Sequence, residues 1–251
     1  WEKYEFFIRH SAGLGKSPTT TDPDIYDHRN VHCDVLVVGA GISGIMAAKN
    51  AAKNNFKTLL VDEKNELGGS TVNENNEFNK IDNKNPSEWL KKEIEELKNI
   101  KNLEIKTRTS VAAYHQYNYL LARENLTDHL EAKDKTNKIR QRLLKIRAKK
   151  VILATGALER PLIFNNNDRP GIMLSSAIKK YSEFYGVACG SKNVFFTNND
   201  SAYESAISLY NKGINVEAII DIREQSESKI VKKVKEAGIK IYWSHSIVDT
   251  T

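Results

Sequence analysis

Three observations on this 251-residue chain predict an α/β protein with parallel strands and covering helices. First, an apolar run at residues 35–38 ends in the glycines Gly39, Gly41 and Gly44, and a second at 58–61 ends in Asp62. Second, a later apolar run at 151–153 leads into Ala154, Thr155 and Gly156. Third, the order strand, helix, strand, helix, strand recurs between residues 193 and 243. Uniformly apolar strands are buried on both faces, as in a parallel sheet covered by helices. Strands that alternate with helical patterns build βαβ units.

In chain order, residues 1–30 hold few periodic apolar positions. With Gly13, Gly15, Pro18 and Pro23, they are expected to form an extended N-terminal linker. A first domain is expected over residues 31–190. It opens with the strand at 35–38 and the pattern G-x-G-x-x-G, in which each glycine has a task. Gly39 permits the tight turn from strand to helix, Gly41 lets backbone approach a pyrophosphate, and Gly44 lets the helix pack close to the strand. The helix that follows carries the small residues Ala47, Ala48, Ala51 and Ala52. Its first turn has free N–H groups and the positive end of the dipole, which favour a phosphate. Ala40, Ile42 and Ser43 fill the remaining loop positions.

Asp62 stands 23 positions after Gly39, at the tip of the second strand. A carboxylate there can accept hydrogen bonds from ribose hydroxyls. A 2′-phosphate would meet Asp62 and Glu63, which favours FAD or NAD over NADP, with Lys64 as a counterweight. Gly69 and Ser70 follow Gly68. Strand, glycines, small-residue helix, second strand, acid and Gly-Gly occur in order, so the stretch is specific for a dinucleotide where the glycines alone would not be. A nucleotide-free α/β unit is the competing structural reading.

Residues 87–98 form an amphipathic helix, with Trp89, Leu90, Ile94 and Leu97 inward and charges outward. Residues 102–108 read as a strand, and 110–125 alternate as a β-hairpin or meander would. Residues 141–155 close the first sheet. The small residues Ala154, Thr155 and Gly156 let backbone approach a ligand at the carboxyl end of the strands. A second Rossmann-like unit is expected over 191–251, with strands at 193–197, 216–221 and 240–243 and helices at 202–212 and 226–237. Its first turn reads TNNDSAYESA, without the glycines. Asn198, Asn199 and Asp200 can cap the helix there, and Asp200 would repel a pyrophosphate. This unit is therefore expected to be incomplete and to have lost, or never had, a nucleotide. Capping and packing are the preferred roles for Asn199, Asp200 and Tyr203.

Composition narrows the chemistry. The formal net charge is +6, with lysine and asparagine scattered throughout. Nucleic-acid binding needs basic residues grouped with aromatics or in a known module, and no nucleic-acid partner is expected. No apolar run reaches the roughly 18 residues of a membrane helix, and no secretory leader is visible. The two cysteines, Cys33 and Cys189, are far apart in sequence. A reducing compartment is expected, and disulfide-reductase activity, which needs two neighbouring thiols, is excluded. The six histidines show no zinc-ligand spacing, and no metal or nucleophile motif is present. No residue is assigned a catalytic role.

Several segments resemble the alpha subunit of heterotetrameric sarcosine oxidases: IRHSAGLGKSP, DPDIYDHRNVHCDVLVVGAGISG, KIRAKKVILATGALERPLIFNNNDRPGIML, and FFTNNDSAYESA with IIDIR. They span nearly the whole chain. NDRPGIML and TNNDSAY are more specific than the glycine fingerprint.

The resemblance implies an α/β fold of the FAD/NAD(P)-binding Rossmann type with a β-meander, and a subunit with its catalytic centre on a partner chain. It implies oxidation of sarcosine, or in close relatives proline or opines, at FAD on a beta subunit. The one-carbon unit passes to tetrahydrofolate, with peroxide formed. It also implies FMN at the alpha–beta interface, gamma and delta subunits, and a cytoplasmic setting. A folate domain and a small ferredoxin-like domain are missing, so the chain would be the central portion.

Residue by residue, Gly39, Ala40, Gly41, Ile42, Ser43 and Gly44 would surround the pyrophosphate of NAD, with FAD as the alternative. Asp62, Glu63 and Lys64 would lie at the ribose, and Gly69 and Ser70 would line the pocket. Ser110 or Val111 would touch adenine. Ala154, Thr155 and Gly156 would close the site, and Arg160 would approach a phosphate, the interface or a salt-bridge partner. A stand-alone FAD-dependent NAD(P)H oxidoreductase and a non-enzymatic interaction module are the alternatives.

Overall fold

A computed structural model describes residues 1–15, 19–73, 80–135 and 137–250. Helix α1 (Glu2–Ser11) precedes strand β1 (Ile25–Val38), helix α2 (Ile42–Lys53) and strand β2 (Thr58–Val61). After a 3-10 turn (Thr71–Asn73) come helix α3 (Pro86–Lys98) and strand β3 (Leu103–Lys106). An antiparallel meander follows, made of β4 (Thr109–His115) and β5 (Tyr119–Asn125), then the short α4 (Ala132–Lys135) and the long β6 (Ile139–Leu153). The second unit comprises α5 (Ser175–Glu183), β7 (Asn193–Thr197), α6 (Ser201–Asn211), β8 (Val216–Asp221), α7 (Lys229–Glu236) and β9 (Lys240–Trp243).

The first sheet has the order β3-β2-β1-β6-β5-β4, with β1 parallel to both β2 and β6. Its two faces bury different things. Val35, Val37 and Leu60 pack under Ile45 and Ala48 of α2 and Trp89, Leu90 and Leu97 of α3. Leu36, Val38, Leu59 and Val61 face Leu120, Ala122, Leu144 and Ile146 of the meander. The uniformly apolar strand of the sequence is thus a strand with a helix layer on one side and a sheet on the other. The second sheet has the order β7-β8-β9, all parallel. Phe195 and Ile219 pack beneath Tyr203, Ala206 and Leu209 of α6 and Val231 and Val234 of α7.

The N-terminal reading needs correction. Residues 1–30 are not a plain linker: residues 2–11 form α1, and β1 begins at Ile25. The run from Glu2 to Ser11 has no helix breaker, and Glu5 and Arg9 pair one turn apart. The polar first half of β1 is a strand because β6 supplies partners. Arg142 donates from Nε to Asp27 Oδ2 at 2.7 Å and from Nη1 to Glu124 at 3.1 Å, and Lys106 reaches the other Glu124 oxygen at 2.9 Å. Pro18, part of the linker reading, lies outside the described residues.

Three further differences concern helices. The outward charges expected of α3 include Glu93, which is buried against Lys49 of α2. Helix α5 has no counterpart in the sequence reading. It packs on α6 through Ile178, Ser208 and Glu183, so a boundary at residue 190 separates α5 from the core it joins. The helix expected over 226–237 is shorter, with Ser228 as the N-cap of α7.

Candidate functional site

The carboxyl ends of β1, β2 and β6 bring four segments together. Ala154 N donates to Val38 O and Gly39 N to Val61 O, each at 2.8 Å, so the three strand ends are level. Gly39 turns with φ 98°, a conformation that favours glycine. A Cβ on Gly39 would collide with Ala154 O, and one on Gly44 with Gly39 O. These two glycines are therefore fixed by close approach inside the protein, as their assigned roles require.

Gly41 differs. Its φ is −72°, and the nearest atom to a Cβ built on it is the Gly69 Cα at 4.0 Å. The space over Gly41 is open, and it lies at the N-terminus of α2, where no side chain caps the first amides. Those amides have no intrahelical partner. Ile42 and Ser43 are exposed there. This is a cradle a phosphate fits, and it is the physical reason the residues suit a dinucleotide.

Asp62 follows β2 and reaches back across the turn. Its Oδ2 accepts from Ala40 N at 2.6 Å and its Oδ1 from Lys64 N at 2.8 Å. The acid thus ties the glycine loop to the strand tip, a role the sequence did not disclose. Each oxygen retains a lone pair for a ribose hydroxyl. Asp62 N donates to Lys106 O at 3.0 Å and Thr109 N to Asp62 O at 2.8 Å, which places Ser110 and Val111 beside the acid. The Val111 side chain packs into the core under the meander, so only its backbone could meet a base. Glu63 and Lys64 are exposed.

Gly68 N donates to Ala40 O at 2.7 Å. A Cβ on Gly69 would stand 2.9 Å from Gly41 Cα. Gly69 thus lies against Gly41, followed by exposed Ser70, while Thr155 N stands 3.2 Å from a Cβ built on Gly39 and Gly156 is exposed beyond it. Arg160 lies outside this group, exposed on the loop that follows. Sequence reasoning missed Glu159. Its Oε1 accepts from Ser175 N at 3.0 Å and Ser175 Oγ at 2.8 Å, and its Oε2 from Ser176 N at 2.7 Å. Burial works against this charge, but the hydrogen bonds from Ser176 and Ser175 outweigh it and hold the carboxyl below its usual range.

At the matching place in the second unit, side chains occupy the strand ends. Tyr203, fully buried, donates to Asp221 Oδ2 at 2.8 Å. Arg223 reaches Asp221 Oδ2 at 2.7 Å and Asp200 at 2.8 Å. Asn199 Oδ1 accepts from Ser201 N at 2.9 Å, whereas Asp200 pairs with Arg223 and gives no side-chain cap. Burial opposes charge on Asp221, yet Arg223 and Tyr203 hold its carboxyl below the usual value. Cys33 and Cys189 are both free thiols, and burial pushes Cys33 up to about 11. Among the described residues no His, Cys, Asp or Glu cluster could hold a metal, and no helix is long and apolar enough to cross a membrane.

Comparison with known proteins agrees with this geometry. The chain is 41% identical over 238 residues to the sarcosine oxidase subunit alpha of Corynebacterium sp. (strain P-1), covering 95% of this chain and 24% of that protein. It is 37% identical over 247 residues to the subunit alpha of Rhizobium meliloti (strain 1021), covering 96% and 25%. It thus spans about a quarter of the length of these curated relatives. Among solved structures, L-proline dehydrogenase from P. horikoshii superposes with a TM-score of 0.62 at 24% identity, covering 85% of this chain and 40% of that one. Thioredoxin reductase from T. acidophilum gives 0.60 at 19%, covering 88% and 66%. The resemblance read from the sequence holds, and the fold is that of FAD/NAD(P)-binding oxidoreductases. A family model described as pyridine nucleotide-disulphide oxidoreductase matches residues 36–247, and the chain belongs to that family.

Proposed function

We propose that this chain is the dinucleotide-holding portion of an alpha-type subunit in a multi-subunit, flavin-dependent amine oxidase. The open cradle over Gly41, between the α2 N-terminus and Gly69, carries the reading. The similarity to sarcosine oxidase alpha subunits supplies its context. Gly39 to Gly44 hold the pyrophosphate, Asp62 the adenosine ribose, and Ala154 to Gly156 close the site. The dinucleotide is NAD by the resemblance to sarcosine oxidase alpha subunits, with FAD as the alternative; Asp62 and Glu63 disfavour the 2′-phosphate of NADP.

The substrate of the complex is sarcosine or another secondary amine. Its oxidation uses FAD on a beta subunit, with FMN at the alpha–beta interface, gamma and delta chains in the assembly, and one-carbon transfer to tetrahydrofolate. A bound flavin supplies a two-electron acceptor. This chain contributes binding and orientation through the glycine loop, the α2 N-terminus and Asp62. The setting is cytoplasmic. The test is co-expression with a beta-type partner: sarcosine or proline should give amine-dependent peroxide, and no peroxide with any secondary amine would sink the proposal.

A second reading, a stand-alone FAD enzyme using NADH, has the thioredoxin-reductase-like fold in its favour. It requires flavin absorbance from the chain alone. The filled strand ends of the second unit, with Tyr203, Arg223 and Asp200, count against a place for NADH.

A further inference from the structure

The loop that leaves the candidate site has its first side-chain anchor at one carboxylate, Glu159; farther on, Asn165 N donates to Val248 O at 3.1 Å and Phe164 packs edge-on against Phe196. Ala154 packs on Gly39 and Gly44, but residues 154–174 then run without helix or strand. Packing holds little of this loop: Leu158 is 95% and Ile163 92% exposed. Gly156 sits at φ 73° with nothing within 4 Å of a built Cβ, so no close approach requires glycine there beyond its φ. Three residues later Glu159 accepts three hydrogen bonds from Ser175 and Ser176, the first turn of α5. Leu174, the N-cap residue, offers no side-chain cap of its own. A carboxylate at that point also meets the positive end of the helix dipole. Helix α5 packs in turn on α6 and on the 3-10 turn Thr71–Asn73, which follows Gly69 and Ser70. Thus α5 touches the turn that follows Gly69 and Ser70, and through Glu159 it is tied to the loop that follows residues 154–156.

We propose that Glu159 is a positioning residue for the dinucleotide. Its carboxylate pins loop 154–158 to the α5 N-terminus, so that Thr155 and Gly156 stay closed over the cradle. The inference rests on the dinucleotide reading of the Gly39–Gly44 loop. Gln at 159 keeps the length of the side chain but turns an NH2 group toward an N–H donor, so it separates hydrogen bonding from bulk.

The test is calorimetric titration of the 251-residue chain, first stripped of bound nucleotide, with NAD+, and separately with FAD. Glu159→Gln should weaken binding about five- to tenfold, the weight of one or two hydrogen bonds, with an unchanged circular dichroism spectrum. Adding Ser175→Ala to Glu159→Gln should weaken it no further. Ser208→Ala, which loosens α5 from α6 at Glu183 without touching the loop, should leave affinity unchanged. Wild-type affinity in Glu159→Gln, or equal losses in Ser208→Ala, would overturn the positioning role while leaving the site reading intact. Failure of the unmodified chain to bind either dinucleotide would overturn both.

Discussion

The two βαβαβ units share a topology and differ at one place. In each, an aspartate stands at the carboxyl end of the second strand and accepts the amide two residues on: Lys64 N to Asp62 at 2.8 Å, Arg223 N to Asp221 at 2.9 Å. The other carboxylate oxygen is used differently. In the first unit it takes the Ala40 amide of a glycine loop that leaves open space over Gly41. In the second it takes the Tyr203 hydroxyl, in a cluster sealed by Arg223 and Asp200. The same scaffold is a cradle in one half and a polar core in the other. Side-chain volume at the strand ends, not topology, sets which of the two it is.

The comparison breaks most sharply at the glycines that serve packing. Gly44→Val drives a side chain into Gly39 O and Ala154. Overpacking costs about 1–3 kcal/mol where neighbours can yield, but backbone cannot. The first unit should lose its cooperative melting transition, which calorimetry would register.

In the second unit the vulnerable feature is the buried cluster. Asp221→Ala leaves Arg223 and Tyr203 without their shared acceptor and should cost about 3 kcal/mol in denaturant unfolding. A cost near zero would mean that the cluster is not what fills the strand ends. Tyr203→Phe removes one donor and keeps the ring against Trp243, so about 1 kcal/mol is expected.

A smaller effect concerns pH. Burial and the Asp221 partner raise the Tyr203 hydroxyl well above its ordinary value near 10. A raised native pKa means stability that is whole below pH 10 and declines as pH climbs past it. Spectrophotometric titration should find a tyrosine, missing from Tyr203→Phe, that stays un-ionised until the second unit unfolds. A Tyr203→Phe chain that loses no such late-ionising tyrosine would contradict the burial. Asp221, held low, acts oppositely: its contribution is present above the ordinary carboxyl range and is lost on acidification through its native pKa.

Legibility in the sequence followed the range of the interactions. The glycine loop, the limits of β2 and β9 and the meander could be read because turn chemistry and apolar periodicity are local. The first half of β1 could not: Asp27 and Arg29 read as loop residues until Arg142, 115 positions away, stands beside Asp27. Helix α5 escaped because its cap, Glu159, lies 16 residues upstream of Ser175, beyond any capping-box spacing. The tether from Asp62 to Ala40 escaped for a similar reason, since the same acid already had a sufficient role at the ribose. The polar turn at 198–200 reads as capping in the sequence, and in the structure Asn199 alone takes a helix amide. Asp200 turned to Arg223, a partner visible only in three dimensions.

The difference between the units is tested most directly by the nucleotide content of the purified chain. The chain should release one dinucleotide per molecule, identified by chromatography and absorbance. Gly41→Val, at an unstrained φ in open space, should melt like the unmodified chain and release none. Two dinucleotides per chain, none at all, or a Gly41→Val chain that keeps its nucleotide would each contradict the division into a cradle and a filled core.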